Sequence, residues 1–213
     1  RAMTTTSRLF IARHGETVFN AARRLQGEHP HTPLTRAGFA QAAEMGAALR
    51  QMLGAKPAIT LWSSTAGRAL QTLAVIAEHL ELDWHDARTD TRLLEIGMGD
   101  WGGRYYHDVM TEHGSIVDRA TGLFSARAPG GEWYDDIAAR LKGWLDDVKD
   151  EPGDRLIISH GITSRVLRGM LTGAAFDPVL KAGVAGGLPQ GSVAMIEDGR
   201  ETIAHLGTGK APA

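Results

Sequence analysis

Two stretches far apart in the sequence end in the same way. FIARHG closes on His14-Gly15, and IISHG closes on His160-Gly161. Each is a short, unbroken apolar run that stops at histidine and glycine. Unbroken apolar runs, as opposed to alternating ones, belong to strands covered on both faces, and such strands sit in parallel sheets between layers of helix. AITLWSS (58–64) is a third run of this kind, beside RLFIAR (8–13) and RLIIS (155–159). Between these runs the apolar period becomes helical. In 35–53, Phe39, Ala42, Met45, Leu49 and Met52 share a face, with Thr35 placed to cap the first turn. Leu70, Leu73, Ala77 and Leu80 do the same in 66–80, and Trp133, Ile137, Leu141 and Leu145 in 131–148. A further helix is expected over 162–171, and 192–207 reads as a hairpin turning at Asp198-Gly199. Alternating strands and helices predict an α/β fold, a three-layer sandwich with a mainly parallel central sheet flanked by helices. With no repeat or linker, residues 3–213 are expected to form one domain. Residues 101–130 fit neither period. There Trp101, Tyr105, Tyr106 and Phe124 stand among Gly, Asp and His, as in an irregular, partly helical cap over one end of the sheet or an ordinary surface connection.

Composition narrows the function classes. The formal net charge is -2, so no general attraction to nucleic acid or to an anionic membrane is expected. The chain has no cysteine, which removes disulfides, thiolate nucleophiles and thiolate metal sites together. That fits a reducing compartment, and a cytoplasmic location is the expectation. No apolar run is long enough to span a bilayer, and the chain does not open with a signal-peptide layout. Arg1 and Ala2 precede Met3, which is expected to be the natural start.

Histidine and glycine at a strand's carboxyl end are positioned for a ligand. In open α/β sheets ligands collect there, and the next helix offers free N–H groups and partial positive charge. A lone histidine at such a place is ordinarily a hydrogen-bonded structural residue, but the pattern occurs twice. Arg13 adds a fixed cation beside His14, and STAGRALQT puts Arg68 on the first turn of another post-strand helix. Two arginines and two histidines at one sheet edge suit a tetrahedral dianion such as a phosphoryl group.

The ordered motifs RHGET with Asn20 downstream, PLTRAGFAQA (33–42), SSTAGRALQT, LLEIGMGDWGG (93–103), PGGEWYDDIAAR (129–140) and ISHGITSRVL (158–167) resemble the signature of the histidine phosphatase superfamily, the phosphoglycerate mutase-like proteins. The resemblance implies a phosphoglycerate mutase-like fold and a metal-independent phosphomonoester hydrolase with no organic cofactor. It implies that His14 is the nucleophile and becomes a phosphohistidine. Arg13, Arg68 and a charged His160 would hold the phosphoryl oxygens, with Asn20 and the Gly161 N–H lining the same pocket. Glu95 would give a proton to the leaving alcohol. Gln26, Gly27, Tyr105 and Tyr106 are expected at the substrate rim. His31, Gly102 and Ile162 depart from the family's usual residues, which bears on the substrate pocket rather than on phosphoryl chemistry.

Other residues attract plainer readings. His29 and His31 lack the partners of a metal site, and no metal is expected. Arg104, Arg119 and Arg127 read as solvated rather than as a second anion site. The partner expected is a small-molecule phosphate ester; homo-oligomerisation is left open. A cofactor-dependent phosphoglycerate mutase is the alternative, though residues 101–130 lack that group's paired arginines and proline run. A catalytically silent phospholigand-binding protein is the other alternative.

Overall fold

A computed structural model describes residues 7–209. The expected start at Met3 lies outside the described residues. Six strands form the main sheet: β1 (Leu9–Arg13), β2 (Ile59–Ser63), β3 (Arg88–Thr89), β4 (Asp154–Ser159), β7 (Val193–Glu197) and β8 (Arg200–His205). A separate small hairpin pairs β5 (Phe176–Asp177) with β6 (Ala182–Gly183). The main sheet runs β3-β2-β4-β1-β7-β8. β3, β2, β4 and β1 are parallel neighbours, whereas β7 and β8 run antiparallel at the far edge. Six helices accompany them: α1 (Val18–Ala22), α2 (Arg36–Leu53), α3 (Gly67–Leu80), α4 (Tyr106–His113), α5 (Tyr134–Val148) and α6 (Gly161–Thr172).

The unbroken apolar strands feed two cores. Phe10, Ala12, Leu61, Leu156 and Ile158 join the cluster under α2 and α3. Ile11, Trp62 and Ile157, the alternate positions, join the cluster with α5 and α6. In β1, β2 and β4 both faces thus meet a covering layer, so the two-residue alternation of a half-exposed sheet is absent there. The β7–β8 hairpin turns through Asp198 and Gly199, at φ 50° and 72°, the two positive values of a tight type I′ turn.

The helical periods locate the helices, but not every apolar residue is buried. Thr35 caps α2 by accepting from the Gly38 N–H. Ala42, Met45 and Leu49 are buried, whereas Phe39 and Met52 are 42% and 46% exposed, so the apolar stripe is narrower than the period implied. α2 packs along one side only, and a residue about 100° off that side meets water. In α5, Trp133, Ile137 and Leu141 are buried as expected, joined by Trp144 and Val148, while Leu145 is only half-buried.

Residues 101–130 are no mere surface connection. Trp101, Val109, Ile116, Leu123 and Phe124 enter the core shared with α5 and α6. Two hydrogen bonds pin the segment to the helices beneath: Tyr134 Oη donates to the Phe124 carbonyl (3.1 Å), and Arg165 Nη1 to the Thr121 carbonyl (2.8 Å). Apart from α4 it is irregular, and it is packed into the core.

Candidate active site

β1 and β4 are adjacent and in register, Arg13 opposite Ser159, so the two His-Gly ends emerge side by side. The His14 and His160 rings are 5.1 Å apart between centroids. One pocket is lined by Arg13, His14, Asn20, Arg68, Glu95 and Gly161, with Gln26, Gly27 and Tyr106 also on its wall. Every expected phosphate-pocket residue lines it except His160, which lies buried directly behind, against His14 and Arg68. Tyr105 is the exception at the rim. Its side chain is 49% exposed, does not line the pocket, and rests on the Arg24 guanidinium. It immediately precedes α4, and the first helical turn directs Tyr106 inward in its place.

His14 is 3% exposed, and its Nδ1 lies 2.7 Å from the Gly15 carbonyl. A carbonyl oxygen only accepts, so Nδ1 carries the proton and Nε2 keeps its lone pair. Burial, then the nearby Arg68 and Arg13 charges, push the imidazole well below 6.5. His14 is therefore neutral at neutral pH, in the tautomer that leaves the Nε2 lone pair free.

The expectation of a charged His160 is corrected. The residue is fully buried; its Nδ1 accepts from Arg68 Nε (3.2 Å), and its Nε2 lies 2.7 Å from Ser64 Oγ. An accepting Nδ1 leaves the single proton on Nε2. Burial first, then the Arg68 charge, hold this imidazole well below 6.5 too. Among cations in a water-poor site, a further charge is the costly state.

The arginines differ in readiness. Arg68 is fully buried and donates to His160, to the His29 and Gly27 carbonyls and to Thr32 Oγ1, so most of its donors are engaged by protein. Arg13 donates from Nη1 to the Leu188 carbonyl, and its covered Nε has no partner among the described residues. Loss of water pulls both guanidiniums down to about 10, so both remain cationic at neutral pH. Arg13 is thus the freer donor, and Arg68 supplies mostly fixed charge.

The glycines have packing reasons that the motif did not disclose. A Cβ on Gly15 would strike the Gly38 carbonyl, and one on Gly38 would strike the Glu16 carbonyl. The loop after His14 and the first turn of α2 are thus pressed backbone to backbone. A Cβ on Gly161 would stand 3.2 Å from the Arg13 guanidinium carbon. The second glycine makes room for the arginine of the first motif.

Glu95 follows the turn Thr91–Leu93 and reaches the start of α6. Its carboxylate accepts from the Ile162 N–H (3.0 Å) and the Thr163 N–H (3.0 Å). These helix N-terminal donors, expected to serve an anionic ligand, instead hold the proposed acid. The loop is braced from behind by Arg140, which donates to the Arg92 and Glu95 carbonyls and to Glu132. Sequence reasoning did not single out Ser64, Thr163 or Arg140 for the site, nor Arg24, Leu25, Ile96, Gly122 and Phe124, which also line the pocket. Ser64, Ile96, Arg140 and Thr163 stand within quoted motifs, which gave a local signal; Arg24, Leu25, Gly122 and Phe124 are brought to the pocket by long-range contacts alone.

Arg104 pairs with Glu112 (2.6 Å), Arg127 with Asp136 (3.2 Å), and Arg119 is exposed. His29 and His31 are exposed, and among the described residues no group of three or more His, Asp or Glu is gathered closely enough to hold a metal ion. No helix among the described residues is long and apolar enough to cross a membrane.

A mostly parallel sheet with two histidines, two arginines and a carboxylate at one edge defines a class of phosphoryl-handling proteins. Residues 9–207 match the histidine phosphatase superfamily (branch 1), and the chain belongs to that superfamily. Among curated relatives, a Yersinia pestis protein named "Probable phosphoglycerate mutase GpmB" is 33% identical over 169 residues, covering 78% of this chain and 74% of its own. Among solved structures, a mycobacterial glucosyl-3-phosphoglycerate phosphatase superposes with a TM-score of 0.74 at 26% identity, over 96% of this chain and 100% of that one. The alpha-ribazole phosphatase of Shigella flexneri shares the fold, with a TM-score of 0.71 at 23% identity over 97% and 98% of the two chains.

Proposed function

We propose that this protein is a phosphatase that hydrolyses a small-molecule phosphate monoester through a phosphohistidine on His14, without a metal, in the cytoplasm. The observation that carries the reading is the tautomer of His14: Nδ1 tied to the Gly15 carbonyl, Nε2 free, in a pocket with cationic Arg13 and Arg68. His14 Nε2 attacks phosphorus, and the P–O bond to the alcohol breaks. Protonated Glu95 gives its proton to the departing oxygen. Glu95, now a carboxylate, takes a proton from water as that water attacks the phosphohistidine; the P–N bond breaks, and inorganic phosphate leaves. Arg13 and Arg68 stabilise the negative charge of the transferring group, and Asn20 completes its surround. Two displacements replace one difficult one.

The test is phosphate release from p-nitrophenyl phosphate and a panel of phosphorylated metabolites. The His14→Ala protein is expected to lose turnover by roughly a thousandfold or more, the scale of losing a covalent nucleophile. Undiminished turnover in that variant would refute the assignment. The 33% identity to a relative named as a phosphoglycerate mutase favours phosphoryl transfer as the second reading. Rapid exchange of 3- and 2-phosphoglycerate that requires a bisphosphoglycerate primer, with little net phosphate release, would establish that reading instead.

A further inference from the structure

Eight arginines among the described residues pair with a carboxylate within 4 Å. The three that line the pocket, Arg13, Arg68 and Arg24, do not. Arg13 and Arg68 belong to the phosphoryl site already described. Arg24 has no role there. It leaves α1 just after Arg23, which ends the helix in the left-handed region at φ 55°. Its Nε donates to the Gly103 carbonyl at 2.7 Å. Its guanidinium lies over the Phe19 ring at 4.3 Å and near the Tyr105 ring at 5.3 Å. Both terminal amino groups are without a protein partner among the described residues.

A guanidinium held this way is oriented before any ligand arrives. The Nε bond and the aromatic faces fix its plane, and the two terminal nitrogens form the fork that matches a carboxylate or phosphate. Its neighbours on the pocket wall, Leu25, Phe124 and Ile162, offer no charge, and Tyr106 is a neutral phenol whose burial pushes it up to about 12. Asn20 and Gln26 are neutral amides, so beyond Arg13, Arg68 and Glu95 of the phosphoryl site Arg24 is, among the described residues, the one further charged side chain on the wall. We infer that Arg24 is a specificity residue, selecting phosphomonoesters whose alcohol portion bears a second anionic group. This inference rests on the hydrolase reading and narrows its substrate class.

The experiment compares 3-phosphoglycerate with glycerol 3-phosphate, which differ only in carboxylate against hydroxymethyl, by phosphate release from the wild type, Arg24→Gln and Arg24→Lys. The wild type is expected to prefer the carboxylate ester. In Arg24→Gln, kcat/KM for that ester should fall roughly tenfold or more relative to the neutral one, the scale of a charge-assisted hydrogen bond. Arg24→Lys should recover part of the preference, because it returns the charge without the fork. Equal loss on both esters would make Arg24 a pin for residues 103–106 and overturn the inference. Hydrolysis of p-nitrophenyl phosphate with no carboxylate preference in the wild type would overturn it alone. No release even from p-nitrophenyl phosphate would overturn the hydrolase reading and this inference together.

Discussion

A histidine nucleophile fails if it is protonated, and two devices keep His14 free of that proton. The Gly15 carbonyl fixes the tautomer, while burial and the Arg68 and Arg13 charges oppose imidazolium. The sign follows directly: with its midpoint moved well below 6.5, the ring stays neutral as the pH falls through 6.5. His160 obeys the same rule. A nitrogen-15 NMR titration of the ligand-free protein should find both imidazoles neutral at pH 6.5; a midpoint for His14 at or above 6.5 would contradict this account. At this scale the sequence was legible where type and position coincide. A histidine ending an apolar strand, an arginine opening a helix and a following glycine can all be read from order alone. The charge of His160 could not, since it depends on Arg68 Nε and Ser64 Oγ arriving from 92 and 96 residues away. Tyr105 and Tyr106 are chemically alike, and only the first turn of α4 decides which one faces the pocket.

Elements place these side chains, and the contact between the His14 loop and α2 is the tightest of the placements. Gly15 and Gly38 each leave space that the other segment's backbone fills. Gly38→Ala would ordinarily favour a helix by about 0.8–1 kcal/mol. Here the new methyl meets the Glu16 carbonyl, a backbone group that cannot swing aside. The net effect should be a loss of about 1–3 kcal/mol, the usual cost of overpacking, with lowered kcat because the loop carrying His14 shifts. Urea unfolding midpoints would decide it, and a variant as stable and active as the wild type would refute the contact. The strands and long helices were visible in the periodicity because each buries a continuous stripe. α1, β3 and the two strands of the β5–β6 hairpin are each five residues or fewer, too short for any period to declare itself. Residues 101–130 escaped for another reason. Their buried members Trp101, Val109, Ile116 and Phe124 are held by irregular turns and by donors from Arg165 and Tyr134, so no regular spacing marks them.

At the scale of the molecule, the fold carries buried cations toward an anion it does not itself supply. Arg13 and Arg68 both have their pKa drawn down to about 10 by loss of water, a measure of unfavourable charge. An oxyanion in the pocket should relieve it and stabilise the fold. Inorganic phosphate or vanadate at a hundred times its Kd should add roughly 2.7 kcal/mol. For a chain of this size that is an increase in Tm of about 5–10 °C. Arg13→Met should abolish most of the shift, and an unchanged wild-type Tm at saturating phosphate would refute the site. The pairing of β1 with β4 has a temporal consequence as well. His14 follows β1, but its neighbouring strand, the helix that holds Glu95 and the second histidine lie beyond residue 153. Until those later segments are made, His14 lacks its neighbouring strand, the helix that holds Glu95 and the second histidine. The proposed phosphoryl chemistry would therefore wait on the docking of β4 and α6, and turnover would report that long-range assembly.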